Sequence, residues 1–300
     1  LNKNKKKEVR QTTYYNIMYR FFGVFLSFAA FLLLSISLSC SSREVKLVIL
    51  HTNDVHSQIE AFANDHPRHP GMGGFAARAG YVNSVRQNEP NVLLLDAGDV
   101  FQGTPYFNFF KGELEFKLMS LMGYDAMTLG NHEFDNGLDE LYSAMKHANF
   151  SIINSNYNFS QTILAAPIKE YDVFEKDNIR IGVFGLGVKL SGLVSTANYQ
   201  GLTYDCPIAT AKRIVPILRN KEKCDLVICL SHLGLAYDTE QVSDTEVAKQ
   251  VEGIDIIIGG HTHVRVSEPL YIANGKHETL VVQAGYKGLE IGRIDCYIKK

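Results

Sequence analysis

Ala126-Met127-Thr128-Leu129-Gly130-Asn131-His132-Glu133-Phe134-Asp135 is the stretch on which the fold turns. Its first four residues make an apolar run too short for a helix, of the kind that forms a strand buried on both faces. Gly130 stops the run. An amide, an imidazole and two carboxylates then fall between Asn131 and Asp135. A strand that ends on a glycine and delivers reactive side chains just beyond it is the pattern of an α/β sheet edge.

The pattern recurs on both sides. Short apolar runs at Val45–Leu50, Val92–Leu95, Ser151–Ile153, Ile179–Phe184, Leu226–Leu230, Ile254–Ile258, Leu280–Gln283 and Ile291–Ile298 read as strands. Between them Phe75–Gln87, Leu114–Met122, Leu138–His147, Ile208–Asn220 and Glu240–Val251 carry helical spacing, with Pro216 expected to kink the fourth. Strand–helix alternation of this kind predicts an α/β layered domain. Neither an internal repeat nor a low-complexity linker interrupts it.

Polar clusters begin where apolar runs stop: His51–His56, Asp96–Asp99, Asn131–Asp135, Ser231-His232 and Gly259–His263. In open α/β sheets the crevice outside the carboxyl ends of the strands binds ligands, so these clusters can converge on one site. Singly, several are ordinary. Asp54-Val55-His56 suits a turn, Asp99 could cap the following segment, and His232 could be a hydrogen-bonded core histidine. Two are harder to explain that way: Asn131–Asp135, and Gly259-Gly260-His261-Thr262-His263. If the latter is locally extended, His261 and His263 point to the same side and face one ion or two adjacent ones.

Taken in order, the clusters resemble the calcineurin-like metallophosphatase signature: D-x-H, then G-D, then G-N-H-[DE], then a His, then G-H-x-H. The longer strings His51–Ser57, Gly73-Gly74-Phe75-Ala76-Ala77-Arg78, Leu129–Asp135 and Ser231-His232-Leu233-Gly234 are similar to the 5'-nucleotidase branch, and the likeness runs from about Val45 to Lys300. The resemblance implies a four-layer αββα sandwich of two mainly parallel or mixed sheets flanked by helices. It implies two divalent metal ions, Zn, Mn or similar, as cofactors. By position in the family pattern Asp54, His56 and His263 hold the first metal, and Asn131, His232 and His261 the second, with Asp99 bridging. Imidazole and carboxylate together suit such borderline ions, which at about 3.5–4 Å apart clamp an in-line displacement and activate a hydroxide. His132 is implied as the transition-state stabiliser, its ring oriented by Asp135. The remaining histidines read as bland: His66 and His69 as exposed loop residues, His147 as the end of a helix, His277 as part of a turn. The aromatic segment Phe101–Phe110 reads as core or as the lip of the site.

Composition bounds the rest. The chain has 300 residues, 46% of them hydrophobic, enough for one substantial core. A net charge of −2 provides no broad basic field, so no nucleic-acid polymer is expected as partner, and an anionic substrate must be held locally. Residues 1–40 read as a signal peptide: Lys3, Lys5, Lys6, Lys7 and Arg10, then an apolar run from Phe21 to Leu38, then small residues around Cys40, with Met18 as an alternative start. Lipidation at Cys40, and so a membrane tether in a bacterial envelope or periplasm, is preferred over plain secretion or a retained anchor. Ser37 departs from the aliphatic residue that such processing sites favour. A Cys206–Cys224 disulfide is possible in an oxidising compartment.

Residues 41–300 are thus expected to form the catalytic domain. The second, substrate-binding domain of the 5'-nucleotidase family is expected to be absent. A separately encoded protein would supply it, the site would have broad specificity, or the sequence is a fragment; the first two are preferred. The expected activity is metal-dependent hydrolysis of nucleotide phosphate esters, nucleoside 5'-monophosphates leading. Broad specificity, 2',3'-cyclic nucleotide phosphodiesterase and UDP-sugar hydrolase activity are the alternatives within the class. A lipoprotein that binds a phosphorylated ligand without turnover is the alternative outside it.

Overall fold

Each apolar run becomes a strand, and the order of the strands in two sheets gathers the polar clusters. A computed structural model describes residues 44–299. The expected signal segment 1–40, the Met18 start and Cys40 lie outside the described residues. Val45–Ile298 form one compact unit. In chain order the elements are β1 (Glu44–Thr52), α1 (Phe75–Asn88), β2 (Val92–Asp96), α2 (Pro105–Phe110), α3 (Glu113–Met122), β3 (Ala126–Thr128), a 3-10 turn (His132–Phe134), α4 (Gly137–Met145), β4 (Ser151–Ile153), β5 (Tyr157–Asn158) and β6 (Tyr171–Lys176). There follow β7 (Ile179–Gly187), a second 3-10 turn (Thr196–Tyr199), β8 (Thr203–Tyr204), α5 (Pro207–Pro216), β9 (Leu226–His232), α6 (Asp244–Gln250), β10 (Ile256–Gly259), β11 (Leu270–Asn274), β12 (His277–Val282) and β13 (Gly292–Lys299).

One sheet has the order β13-β1-β2-β3-β4, and a second has β11-β12-β10-β9-β7-β6. The inner pairs β1–β2, β2–β3, β3–β4, β7–β9, β9–β10 and β10–β12 are parallel. The edge strands β6 and β11 are antiparallel to their neighbours. Both faces of the inner strands are covered, which is why those strands are apolar without interruption.

Side-chain alternation along β1 shows the layering. Leu47 and Ile49 join Leu93, Leu95, Ile181, Val183, Ile228 and Ile258 in a core between the two sheets. Val48 and Leu50 face the other way, into a core shared with Val82, Phe116, Met119 and Leu141 of α1, α3 and α4. On the far side, Phe184, Val227 and Ile257 pack against Ala211, Ile214 and Val247 of α5 and α6. Three apolar interfaces between helices, sheet, sheet and helices make the four-layer αββα sandwich. Leu47, Ile49, Leu93 and Leu95 are fully buried, each contributing about 1.5–3 kcal/mol of transfer free energy.

Pro216 ends α5 and is followed by a π-helical turn, Ile217–Lys221, closed by the Glu222 N–H donating to the Ile217 carbonyl at 3.0 Å. The ring cannot donate to the preceding turn, and the chain widens there rather than kinking simply. No Cys206–Cys224 disulfide forms: Cys206 is exposed, Cys224 is buried, and both are free thiols. Among the described residues no helix is long and apolar enough to cross a membrane.

Candidate functional site

Five strand ends meet at one edge of the sandwich. β1, β2 and β3 of one sheet release Asp54 and His56, Asp99, and Asn131, while β9 and β10 of the other release His232, His261 and His263. The local backbone is not extended. Asp54 (φ 49°), His56 (49°), Asp99 (56°), His261 (73°) and His263 (56°) all occupy the left-handed region. Asp and His tolerate it better than most, yet each such residue costs about 1–3 kcal/mol, held only where surrounding structure over-determines it. This corrects the extended reading of Gly259–His263. His261 and His263 reach the site through two left-handed turns, and they go to different clusters.

In the first cluster, ligand-type atoms of Asp54, His56 and His263 lie within 4.8 Å of one another. His56 Nδ1 donates to the Phe101 carbonyl at 3.2 Å, which fixes the tautomer and leaves Nε2 as a lone pair. That Nε2 lies 2.9 Å from His263 Nε2, and His263 Nε2 lies 3.4 Å from Asp54 Oδ1. Burial lowers the His56 pKa below its ordinary value, so the ring is neutral at neutral pH. Tyr286 stacks on the exposed face of His263, with centroids 5.1 Å apart and planes 3° from parallel.

The second cluster joins Asp99, His232 and His261, again within 4.8 Å. His232 is fully buried and donates from Nδ1 to the Ala97 carbonyl at 2.7 Å. Its Nε2 lies 3.0 Å from Asp99 Oδ2 yet makes no hydrogen bond. Burial would lower the His232 pKa, but the Asp99 carboxylate outweighs it and holds it at about 10. The same pairing keeps Asp99 well below the usual carboxylate range although burial acts the other way. His261 is driven down to about 4 by burial and by the His232 charge. Asn131 Oδ1 is also buried with no hydrogen-bond partner. An orphaned amide oxygen, an orphaned imidazole nitrogen and apposed ring nitrogens beside two carboxylates form a donor set that fits divalent cations. Asp99 stands in both the second cluster and a third grouping with His56 and His132, as a residue shared between two positions would.

His132 opens the 3-10 turn after Asn131 and donates from Nδ1 to Asp135 Oδ2 at 2.7 Å. Its ring sits edge-on to His56, with centroids 5.3 Å apart, and is partly open to solvent. Burial would lower its pKa, but the Asp135 hydrogen bond and the Asp99 carboxylate outweigh that and raise it. The Asn198 side chain donates to the Asp135 carbonyl at 2.6 Å, anchoring the orienting residue from behind.

Two supporting residues escape sequence reasoning. Glu133 is buried, and its Oε2 accepts from the N–H groups of Gly130 (2.6 Å) and Asp99 (3.0 Å). Its Oε1 accepts from Val100 (2.8 Å) and Phe101 (3.2 Å). Asn53 donates to Asp54 Oδ2 and to the Gly285 carbonyl, both at 2.7 Å, and accepts from the Ala284 N–H at 2.8 Å. Both lie inside strings read from the sequence, Glu133 in Leu129–Asp135 and Asn53 in His51–Ser57, but a backbone-binding role leaves no spacing signal. Gly130 is required by contact, since a Cβ there would overlap the Asp99 carboxylate and backbone nitrogen.

The other histidines stay outside the site, with differences of detail. His66 and His69 are half-buried rather than exposed, their rings packed on each other and on Phe62. His147 lies 3.9 Å from Glu113, and His277 starts β12 and donates to the Ile254 carbonyl at 2.8 Å. The aromatic segment divides: Phe101 and Phe107 are core, while Phe109 is 79% exposed.

The chain is similar to known proteins over most of its length. Residues 47–265 match the calcineurin-like phosphoesterase family. A snake venom 5'-nucleotidase of Gloydius brevicauda is 36% identical over 238 residues, covering 76% of this chain and 38% of that protein. The crystal structure of a 5'-nucleotidase precursor from Thermus thermophilus superposes with a TM-score of 0.77 at 29% identity, covering 85% of this chain and 54% of that one. The calcineurin-like phosphoesterase YfkN from Bacillus subtilis gives a TM-score of 0.72 at 26% identity, covering 86% of each chain. The chain thus spans well under half the length of the venom relative and about half of the Thermus chain. With the donor clusters at the strand ends and the family match across them, the chain belongs to the calcineurin-like phosphoesterase family.

Proposed function

We propose that this chain is a metal-dependent phosphoesterase that hydrolyses phosphate esters of nucleotides, with nucleoside 5'-monophosphates as the leading substrates. One observation carries the proposal. The donor groupings Asp54/His56/His263, His56/Asp99/His132 and Asp99/His232/His261 lie side by side, linked through His56 and Asp99, and Asp135 holds the His132 ring. Asp54, His56 and His263 would hold one divalent cation, Asn131, His232 and His261 the other, with Asp99 between. Zn and Mn suit this mixture of imidazole and carboxylate. When bound, such a pair supplies Lewis-acid polarisation of the phosphoryl group and a water of lowered pKa. The chain's own charges explain why cations are needed. Asp54, Asp99 and Asp135 gather at one site, and bound cations would offset their repulsion of a phosphate.

The chain's residues do the rest. Nδ1 of His132 is committed to Asp135, so Nε2 is the group free to donate toward a phosphoryl oxygen or the departing oxygen. The Asp135 hydrogen bond favours the charged ring even when cations neutralise Asp99. Backbone N–H groups fix the carboxylates: His261 donates to Asp54 Oδ1 and Oδ2 at 3.1 and 3.0 Å, and His132 to Asp99 Oδ1 at 2.8 Å. These groups are set before substrate arrives, and that preorganisation lowers the reaction barrier. We further propose residues 41–300 as the catalytic domain, export to the cell envelope through residues 1–40, and a lipid tether at Cys40. The likeness to the 5'-nucleotidase precursor supports export.

The test is phosphate release by the purified protein, with AMP, a 2',3'-cyclic nucleotide, a UDP-sugar and p-nitrophenyl phosphate run in parallel. A preference for AMP supports the nucleotidase reading. Equal rates on all four would replace it with a broad phosphoesterase. Tight binding of AMP with no turnover under any metal would leave only a phospho-ligand-binding protein.

A further inference from the structure

Arg78, in the first turn of α1, is buried, and among the described residues it has no ion-pair partner. A buried guanidinium that no carboxylate touches is costly, and Asp96 acts on this one only from beyond contact distance, so its other contacts bear on why it is there. Its Nη2 donates to the Gln58 carbonyl at 3.1 Å and its Nη1 to the Gly288 carbonyl at 3.4 Å. Those two carbonyls belong to separate loops, one carrying two residues of the first donor cluster and the other packed against that cluster. The Gln58 loop carries Asp54 and His56. The Gly288 loop carries Tyr286, stacked on His263, and Lys287, whose N–H donates to the Asp54 carbonyl at 2.6 Å. Gly288 has φ 57°, and a Cβ there would overlap the guanidinium. The backbone therefore lies directly on Arg78.

We propose that Arg78 is a positioning residue that clamps these two loops together and so sets the distance between Asp54/His56 and His263. The proposal rests on the reading of Asp54, His56 and His263 as metal ligands. The second cluster depends on other supports: Glu133 braces Asp99, and Ala97 holds His232. Arg78 therefore acts on one cluster and not on both. Glu115 provides the contrast. It accepts from Ser57 at 2.5 Å, which braces the His56 loop alone and leaves the Tyr286 loop untouched.

The experiment uses the full chain with Arg78→Met, Arg78→Lys and Gly288→Ala, the last disrupting the clamp while retaining the arginine. Mn2+ titration by calorimetry reads the two equivalents separately. Hydrogen exchange of the metal-free protein reads the loops. The expected result for Arg78→Met is a 10–100-fold weaker affinity for one equivalent, the range seen when groups supporting metal ligands are removed. The other equivalent should change less than about threefold, and Arg78→Lys should recover part of the loss. Amide protection should fall in residues 54–59 and 285–289 together, with α1 and β2 unchanged, and Gly288→Ala should reproduce this pattern. Equal weakening of both equivalents, or exchange changes spread over the whole fold, would overturn the clamp in favour of a purely structural arginine. If the parent chain binds no Mn2+, the metal-centre reading fails on its own, and the exchange arm still decides whether Arg78 couples the two loops.

Discussion

Replacing Glu133 by Gln tests how the site is held together, and its size can be worked out from the hydrogen bonds. Both carboxylate oxygens are saturated by backbone donors, Oε2 by Gly130 and Asp99, Oε1 by Val100 and Phe101. A glutamine has one acceptor oxygen and one NH2 group. In either amide orientation the NH2 faces two buried N–H groups that have lost their acceptor. Each orphaned donor costs about 1–3 kcal/mol, so the substitution should cost about 2–6 kcal/mol. For a domain whose whole stability is about 5–15 kcal/mol, that is a large fraction. Burial and the Asp99 charge push the Glu133 carboxyl up to about 7, while the backbone donors favour its charged form. Urea unfolding of the metal-free protein measures the loss, and a shifted midpoint at unchanged slope would show a true stability change. A loss under about 1 kcal/mol would refute the reasoning, because the loops would then have other acceptors.

Further outcomes follow from the same geometry. His132→Ala should lower kcat by about 10²–10⁴-fold with metal content unchanged; a parallel loss of bound metal, measured by elemental analysis, would make His132 a ligand instead. Gly130→Ala forces a Cβ into Asp99 and should destabilise by about 1–3 kcal/mol or more in thermal unfolding; a neutral result would mean the Asp99 loop yields easily. Asp244 is fully buried, bonded to Ser231, and its carboxyl is pushed up to about 8, chiefly by burial. The native state then holds a proton that the unfolded chain releases near pH 4, so stability falls as pH rises between those values, by up to about 1.4 kcal/mol per pH unit. Metal-free Asp244→Asn should therefore show a flatter stability profile from pH 5 to 7.5, and parallel profiles would exclude Asp244 as the titrating group.

Much of this was legible in the sequence, for a physical reason. Strands covered on both faces must be apolar throughout, so β1, β2, β9 and β10 announced themselves, and the polar residues at their ends marked the site. The two edge strands of the second sheet, β6 and β11, were not legible, although β4 and β13 at the edges of the first were. Tyr171–Lys176 and Leu270–Asn274 are half exposed and carry charged or polar residues, so no apolar run betrays them. Helix α2 was read only as an aromatic segment, because six residues are too few for helical spacing to show. The residues proposed as ligands were all brought to one edge, but how they get there was misread at Gly259–His263. Left-handed φ at Asp54, Asp99, His261 and His263 is a tertiary constraint, invisible in spacing. The supporting roles of Glu133 and Asn53 were overlooked in turn because Glu133 binds only backbone groups and Asn53 mostly does, and every residue has those.

The most direct test of the central claim is phosphate release from AMP during stepwise reloading of the chelated protein with Mn2+ or Zn2+, with bound metal counted at each step. The account predicts no turnover without metal and full activity only as the second equivalent per chain binds. Full turnover in chelator, or with a single equivalent and the second cluster unfilled, would contradict it.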